Sequence, residues 1–244
     1  MKLLAADTAT PVLSVAVVDG RSVLAELTVR RRQTHARNLM RLVDMALDLA
    51  GATLDDLDGL VAVRGPGSFT GLRIGLSTLK GLALGSGKPV VGVCALEVLA
   101  RQVPLSVLPV HALVDARKGQ VFRGAFRWAA DRPDPIRTAD AALLSPEAAA
   151  AEIVEPTLFV GNGARLYGEF LAERLGDRYR RAPDGCHTLR AATAARAGAA
   201  RFAAGESGDP AALIPRYLRK SDAELAGAQP PGAPSPGSAR AGFR

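Results

Sequence analysis

Residues 60–88 carry the sequence LVAVRGPGSFTGLRIGLSTLKGLALGSGK. Four apolar residues lead into a glycine-rich segment, and a long apolar pattern follows it up to Gly85-Ser86-Gly87. This order predicts a buried strand, a tight elbow and a helix. A glycine-rich elbow that points backbone amides at the start of a helix is a candidate anion site. Ser68 stands where it would cap the helix, a role that needs no catalytic explanation.

The helix after the elbow divides into three stripes when it is plotted at about 3.6 residues per turn. One stripe is apolar and suits a protein core, and another is polar and suits water. The remaining stripe contains glycines, which let another backbone come close, so it indicates contact with a second element or a second chain. The stripes are, in turn, Leu72, Leu76, Leu79 and Ala83; Arg73, Ser77 and Lys80; and Gly71, Gly75, Thr78 and Leu82.

Length and composition limit what this helix can belong to. The chain has 244 residues, which suffices for one large domain or two modest ones. Asp7 interrupts the first apolar residues too early for a signal peptide, and no later stretch is apolar for long enough to span a bilayer. We therefore expect a soluble, cytoplasmic protein. Two cysteines, Cys94 and Cys186, are expected to be reduced and structural.

The formal net charge of +7 raises the question of nucleic-acid binding. The basic runs are short, for example Arg30-Arg31-Arg32, and aromatic residues make up only 5% of the chain, so no stacking platform stands out. This pattern favours a solvated, arginine-rich surface over a dedicated nucleic-acid face. An auxiliary basic contact with RNA stays open.

The first half of the chain predicts three strands, then alternating helices and strands. Apolar segments at residues 2–6, 12–18 and 22–29 predict a meander. Asp7 ends the first strand in a tight turn, where it either contributes to a phosphate and metal site or forms an Asx turn with its own backbone. Thr34 is expected to cap an amphipathic helix that ends at Gly51.

After Pro104 the plan starts again. A strand at residues 107–114 ends in Asp115 much as the first strand ends in Asp7, and residues 120–128 return as a hairpin. Residues 131–145 are rich in proline and predict irregular structure, with one strand near Ile136 left open. The later segments are a helix at 146–153, a strand at 157–160, a second elbow at Gly161-Asn162-Gly163-Ala164, and helices at 165–175 and 189–204.

Spacing argues against several motifs. The glycines at 65, 67 and 71 are one residue wider than the dinucleotide fingerprint. Gly85-Ser86-Gly87-Lys88 lacks the first glycine of a phosphate-binding loop and is followed by proline. The three histidines lie too far apart in sequence to predict a metal site.

The segment from Gly65 to Gly75, GPGSFTGLRIG, strongly resembles the signature of the bacterial TsaB (YeaZ) family. The resemblance covers about residues 1–222 and implies the actin-like ATPase (ASKHA, ribonuclease H-like) fold, with two similar α/β domains and a cleft between them. The further anchors are Asp7-Thr8-Ala9-Thr10, His35, Asp115-Ala116-Arg117, the second elbow and Pro215-Arg216-Tyr217-Leu218-Arg219. The expected divisions are an N-terminal domain at 1–104, a C-terminal domain at 105–222 whose late helix packs back on the first, and a disordered tail at 223–244.

The resemblance also implies a function. TsaB is similar to TsaD, and the family acts as a non-catalytic partner of TsaD in forming threonylcarbamoyladenosine at position 37 of tRNAs that read codons beginning with A. The implied partners are TsaD in a heterodimer, TsaE, tRNA indirectly, and a second copy of the chain when TsaD is absent. No intrinsic cofactor is implied, since ATP and Mg enter with TsaD and TsaE. Consistent with lost chemistry, Leu39 stands four residues after His35, where TsaD-like proteins carry a second metal-binding histidine, and Ala9 replaces a glycine usual in nucleotide-binding relatives.

Two groups of candidate residues follow from the resemblance and the pattern together. The helices before and after the elbow are expected to form the partner interface, and Gly75→Arg is expected to abolish the heterodimer while the monomer stays folded. The interface candidates are Leu39, Leu42, Val43, Ala46, Phe69, Thr70, Gly71, Ile74, Gly75, Thr78 and Leu82. The candidates for a vestigial nucleotide or anion cleft are Asp7, Thr8, Thr10, Gly65, Gly67, Ser68, Asp115, Gly161 and Gly163.

An enzyme acting by itself is the alternative. It would be an ATP-binding or ATP-hydrolysing member of the fold, or a glycoprotease-like hydrolase. Asp7 and Asp115 are the only plausible hydrolytic pair in the sequence. The lack of a nucleophile with a matching base disfavours a protease.

Overall fold

The structure is a computed structural model that describes residues 1–30, 35–206 and 208–219. The predicted cap at Thr34 and the predicted tail at 223–244 lie outside these residues. Within them, no helix is long and apolar enough to cross a bilayer.

The first half forms a five-stranded sheet with strand order β3-β2-β1-β4-β5. The first three strands are antiparallel, while β4 and β5 run parallel to β1 and to each other. The elements are β1 (Lys2–Asp7), β2 (Val12–Asp19), β3 (Ser22–Arg30), α1 (His35–Leu49), β4 (Gly59–Val63), α2 (Phe69–Ser86), β5 (Val90–Val93) and α3 (Ala95–Arg101).

The second half repeats this plan in a five-stranded sheet of order β10-β9-β6-β7-β8. Read from the other edge, the order matches the first sheet strand for strand, as the repeated sequence pattern predicts. The elements are β6 (Val110–Arg117), β7 (Gln120–Arg127), β8 (Ile136–Leu144), α4 (Pro146–Ala151), β9 (Thr157–Val160), α5 (Asn162–Leu166), α6 (Gly168–Leu175), β10 (Tyr179–Arg181) and α7 (Ala191–Ala203).

The second half differs from the sequence prediction in five respects. β6 begins at Val110 rather than at residue 107, since Pro109 has no amide to donate to a ladder. It also continues past Asp115 to Arg117. The proline-rich segment forms the full edge strand β8, and the short β10 was not predicted. The helix expected at 165–175 is two helices that meet at Tyr167.

Two helices lie between the sheets and join the halves. α7, from the second half, packs on β1, β2, β4 and β5, whereas α3, from the first half, packs on β6 and β7. α7 comes so close to the first sheet that a Cβ on Gly198 would overlap the side chain of Val61. One continuous apolar core therefore includes residues of both sheets. A second core lies under α1 and α2, and a third lies under α4 and α6.

Candidate functional site

The polar groups of the elbow between β4 and α2 form hydrogen bonds within the chain. The Ser68 hydroxyl accepts a hydrogen bond from the amide of Gly71 at 3.2 Å, which confirms the predicted cap. The Ser68 amide donates to the carbonyl of Ala9 at 2.7 Å, and the Leu72 amide donates to the Ser68 carbonyl at 2.8 Å. Gly65 has φ of 106°, a conformation that side chains rarely adopt. These amides are therefore committed to the chain itself.

The glycine stripe of α2 packs against the turn between β1 and β2. A Cβ on Gly71 would overlap the Thr8 carbonyl oxygen, and a Cβ on Gly75 would overlap Thr8 Oγ1. Thr8 Oγ1 also donates to the Gly71 carbonyl at 2.7 Å. The stripe meets a second element, as predicted, but that element belongs to the same chain. Gly71 and Gly75 are therefore covered by their own chain, their predicted contact with a partner stays a prediction, and Gly75→Arg would disturb the monomer as well.

Asp7 forms the Asx turn that was one of its two predicted roles. Its Oδ1 accepts the amide of Ala9 at 2.9 Å, while Oδ2 is buried without a hydrogen-bond partner. Burial raises the pKa of the Asp7 carboxyl to about 7, against the opposing effect of the Ala9 hydrogen bond. Thr10, also buried, accepts the amide of Val12 at 3.3 Å through its hydroxyl. The first turn is thus closed and faces the protein.

The second elbow has the same construction. Gly161 has φ of 105°, and a Cβ there would overlap the carbonyl oxygen of Leu113. Next to it, a Cβ on Gly163 would lie 3.0 Å from the same carbonyl oxygen. Asp115 accepts the amide of Arg117 at 2.8 Å, which repeats the Asx turn of Asp7. The two halves therefore share an Asx turn after their first strand and a glycine of positive φ at the elbow.

Several residues of the predicted nucleotide or anion cleft pack closely on their own chain. A Cβ on Gly67 would lie 2.3 Å from the Ala9 carbonyl oxygen and 2.8 Å from the Ala9 Cβ. Asp7 is fully buried rather than open to a ligand. Among the described residues, no group of three or more His, Cys, Asp and Glu side chains could hold a metal ion.

The two helices α1 and α2 present a different outer surface from the one predicted. Four of the predicted interface residues face the core under α1, because they form the stripe that packs on the first sheet: Leu39, Leu42, Val43 and Ala46. These four side chains are covered within the monomer, and their assignment to the interface stays a prediction. The interface role also stays a prediction for Phe69, Thr70, Ile74, Thr78 and Leu82, which are half-buried or exposed.

Four exposed apolar side chains on α1 and α2 were missed, of which Met40 is 40% exposed. Met45 is 41% exposed, Leu49 is 63% exposed and Leu84 is 74% exposed. On the helical wheel Leu84 shares the polar stripe of α2, where it could have been found, whereas Leu49 lies at the edge of the apolar stripe of α1. We call Met45, Leu49, Leu84, Ile74 and Leu82 the outer α1–α2 face.

The segment at residues 213–219 was also missed as part of the site. Its Tyr217 ring stacks on Phe69 with the ring centres 4.4 Å apart. Arg73 also lies over the Phe69 ring, with its guanidinium carbon 4.0 Å from the ring centre. In the sequence this segment stood out only as one of the family anchors. Its contact with the elbow could not be predicted, because 144 residues separate Arg73 from Tyr217.

Comparison with known proteins agrees with this architecture. A family model described as "TsaD: tRNA N6-adenosine threonylcarbamoyltransferase" matches residues 23–227. The tRNA threonylcarbamoyladenosine biosynthesis protein TsaB of Bacillus subtilis is 28% identical over 92% of this chain and 96% of its own length. A crystal structure of YeaZ from Pseudomonas aeruginosa superposes with a TM-score of 0.75 at 28% identity, covering 89% of this chain and 99% of that one.

The chain belongs to the TsaB (YeaZ) family. TsaB of Escherichia coli is 39% identical, but the match spans 50% of this chain and 53% of that protein. The activator of 2-hydroxyisocaproyl-CoA dehydratase from Clostridium difficile shares the fold, with a TM-score of 0.50 at 11% identity over 86% of this chain. This family member has the two-domain α/β architecture of the actin-like ATPase fold, as the resemblance implied.

Proposed function

We propose that this chain is a non-catalytic partner subunit of TsaD, required to form the threonylcarbamoyl group on N6 of adenosine 37 in tRNAs that read codons beginning with A. Membership of the TsaB family supports the pathway. The observation that carries the non-catalytic role is the packing of the elbow, where Thr8 and Ala9 occupy the space beside Gly67, Gly71 and Gly75. In this proposal ATP and Mg act at TsaD and TsaE.

The outer α1–α2 face is the proposed surface for TsaD. Leu49 and Leu84 are the most exposed large apolar side chains on the two helices, and burial against a partner would remove their apolar surface from water. Neither Leu49 nor Leu84 belongs to the core under these helices. A partner could therefore cover both side chains without any change in the packing of the monomer. The same face is proposed to form the self-dimer when TsaD is absent.

Reconstitution of tRNA modification tests the proposed role. TsaD, TsaE, the enzyme that makes threonylcarbamoyl-adenylate, and tRNA are combined with and without this chain, and modified nucleoside is measured by mass spectrometry. The yield is expected to collapse when the chain is omitted. An unchanged yield would overturn the proposal.

Introducing positive charges on the outer α1–α2 face tests whether this face binds TsaD. Leu49→Arg combined with Leu84→Arg is expected to weaken a TsaD pull-down at least tenfold, since it places two charges in an apolar contact. Leu166→Arg is the matched control, because Leu166 is 59% exposed on the second half. Equal retention of TsaD by both variants would show that partner binding uses another surface.

Calorimetry of the isolated chain with Mg-ATP separates this role from that of an ATPase. Weak or absent turnover is expected. Robust hydrolysis that Asp7→Ala removes would instead support the alternative, an enzyme acting by itself.

A further inference from the structure

We propose that an exposed cluster formed by Phe69, Arg73, Arg117, Arg216 and Tyr217, here called the basic–aromatic patch, binds single-stranded RNA. The Tyr217 ring would stack on an unpaired base, and the arginines would contact backbone phosphates. The patch lies where α2 begins, so it adjoins the outer α1–α2 face but is distinct from it.

The aromatic part of the patch is ordered by three mutual contacts. The Phe69 and Tyr217 rings are nearly parallel, with an angle of 26° between their planes. Arg73 lies over the Phe69 ring, and its Nε donates to the Tyr217 hydroxyl at 3.2 Å. Tyr217 nevertheless stays 38% exposed. An exposed ring that is held in one orientation loses little conformational freedom when a base stacks on it.

The segment at residues 213–219 connects the β6–β7 turn of the second half with the elbow before α2. At one end the Arg216 amide donates to the carbonyl of Arg64, next to the elbow, at 2.7 Å. At the other end the Arg219 guanidinium donates to the Ala116 carbonyl at 2.8 Å and to the Gln120 side chain at 2.6 Å. These acceptors flank the turn between β6 and β7. These contacts place the exposed Arg117 of that turn in the patch.

The three segments that build the patch contain basic residues and no acidic ones. No Asp or Glu occurs between Asp58 and Glu97, between Asp115 and Asp131, or from residue 210 to residue 219. The nearest carboxylate in sequence, Asp115, accepts the Arg117 amide. Basic segments around an exposed aromatic ring suit a polyanion whose bases stack. Charge complementarity therefore favours RNA over a protein at this patch.

The choice of RNA rests on the proposed role in tRNA modification, so the test uses the isolated full-length chain and no partner. A fluorescein-labelled anticodon stem-loop with an unpaired loop is titrated and followed by fluorescence anisotropy over a range of salt concentrations. Tyr217→Leu is expected to weaken binding by about fivefold or more, since stacking contributes about 1–3 kcal/mol per base. Tyr217→Phe keeps the ring and is expected to bind within about twofold of the wild type.

Removing single arginine charges from the patch tests the predicted phosphate contacts independently of base stacking. Arg73→Gln and Arg117→Gln are each expected to weaken binding and to reduce the slope of log K against log salt by about 0.7, the value for one single-strand phosphate contact. Lys88→Gln is the matched control, because it removes one charge just beyond the opposite end of α2. Thermal unfolding of every variant checks that the fold is retained.

Three results would overturn the proposal. The wild type could fail to bind the stem-loop in low salt. The patch variants could bind with the affinity and salt slope of Lys88→Gln. Tyr217→Leu could instead weaken a TsaD pull-down and leave the anisotropy unchanged, which would make the patch a protein contact. A failed reconstitution together with intact RNA binding would count against the TsaD role alone.

Discussion

At the scale of single residues, burial acts on Asp7 and His111 in opposite ways. Burial raises the pKa of the Asp7 carboxyl to about 7. It lowers the pKa of the His111 imidazole to about 4, and the positive charge of Arg123 lowers it further. Both shifts favour the neutral side chain in the folded protein. Their effects on stability therefore oppose each other as the pH changes.

The signs follow from proton linkage. Between about pH 4 and pH 7 folded Asp7 holds a proton that the unfolded chain has lost, so this residue makes stability fall as the pH rises. Between about pH 4 and pH 6.5 unfolded His111 holds a proton that the folded chain lacks, so this residue makes stability fall as the pH drops. The two contributions nearly cancel in the wild type over this range.

Replacing Asp7 should reveal the uncompensated histidine. Relative to the wild type, Asp7→Asn is expected to gain about 4 kcal/mol of unfolding free energy between pH 4 and pH 8, from about three pKa units at about 1.4 kcal/mol each. Asparagine keeps an oxygen for the Ala9 amide, so the turn is retained. Urea unfolding at several pH values measures the difference, and a pH-independent difference would contradict a raised pKa for Asp7.

Two glycines of α2 give a matched pair. Gly75→Ala is expected to cost about 1–3 kcal/mol, because its Cβ overlaps Thr8 Oγ1. Gly81→Ala has open space around its Cβ and is expected to stabilise the exposed helix by about 0.5–1 kcal/mol. Chemical denaturation of both variants tests this, and equal effects would mean that the turn does not pack on Gly75.

At the scale of elements, α7 receives its N-terminal caps from the other half of the chain. Its own N-cap residue, Arg190, makes no side-chain capping hydrogen bond. The Ser14 hydroxyl accepts the Ala191 amide at 3.0 Å, and Glu26 Oε1 accepts the Ala192 amide at 3.0 Å. Glu26 also pairs with Arg190. The meander of the first half therefore anchors the last long helix of the second.

Ser14→Ala tests this arrangement. It is expected to cost about 1–2 kcal/mol, since it removes a cap and leaves a buried amide unpaired. Ser22→Ala is the control, because Ser22 is an exposed serine of the same meander. Thermal unfolding compares the two variants, and a loss no larger than that of the control would show that α7 does not depend on Ser14.

At the scale of the whole molecule, the shared core makes the two halves one unit. α3 and α7 each pack on the sheet of the other half, and residues of both sheets belong to one apolar cluster. Neither sheet can lose these helices without exposing apolar surface. We therefore expect one cooperative transition rather than two.

Trp128, the single tryptophan of the chain, lies in the second half and packs against the core shared by both sheets. Its fluorescence and the far-ultraviolet circular dichroism of the whole chain are expected to change at the same temperature. Gly198→Ala, which forces α7 away from Val61 in the first sheet, is expected to lower both midpoints together. A separate earlier transition in either signal would contradict a single cooperative unit.

Much of the architecture could be predicted because its signals are local. Alternating or continuous apolar runs predict β1 to β7 and β9, and the repeat from Asp7 to Asp115 predicts the second half. β10 was missed because its three residues are too few to show a period. β8 was obscured by the prolines before it, which precede the strand rather than interrupt it.

By itself, the sequence determined the repeated α/β plan, the cap at Ser68 and the membership of a family. Only the tertiary structure decided what covers each face. The Thr8 contact with Gly71 spans 63 residues, and Phe69 meets Tyr217 only after the whole second half has folded. A helical period shows which side chains share a face, whereas the partner of that face depends on how distant segments pack. For this reason the glycine stripe proved to pack on the same chain. The exposed surfaces that we propose for binding TsaD and RNA lie on other parts of α2 and its neighbours.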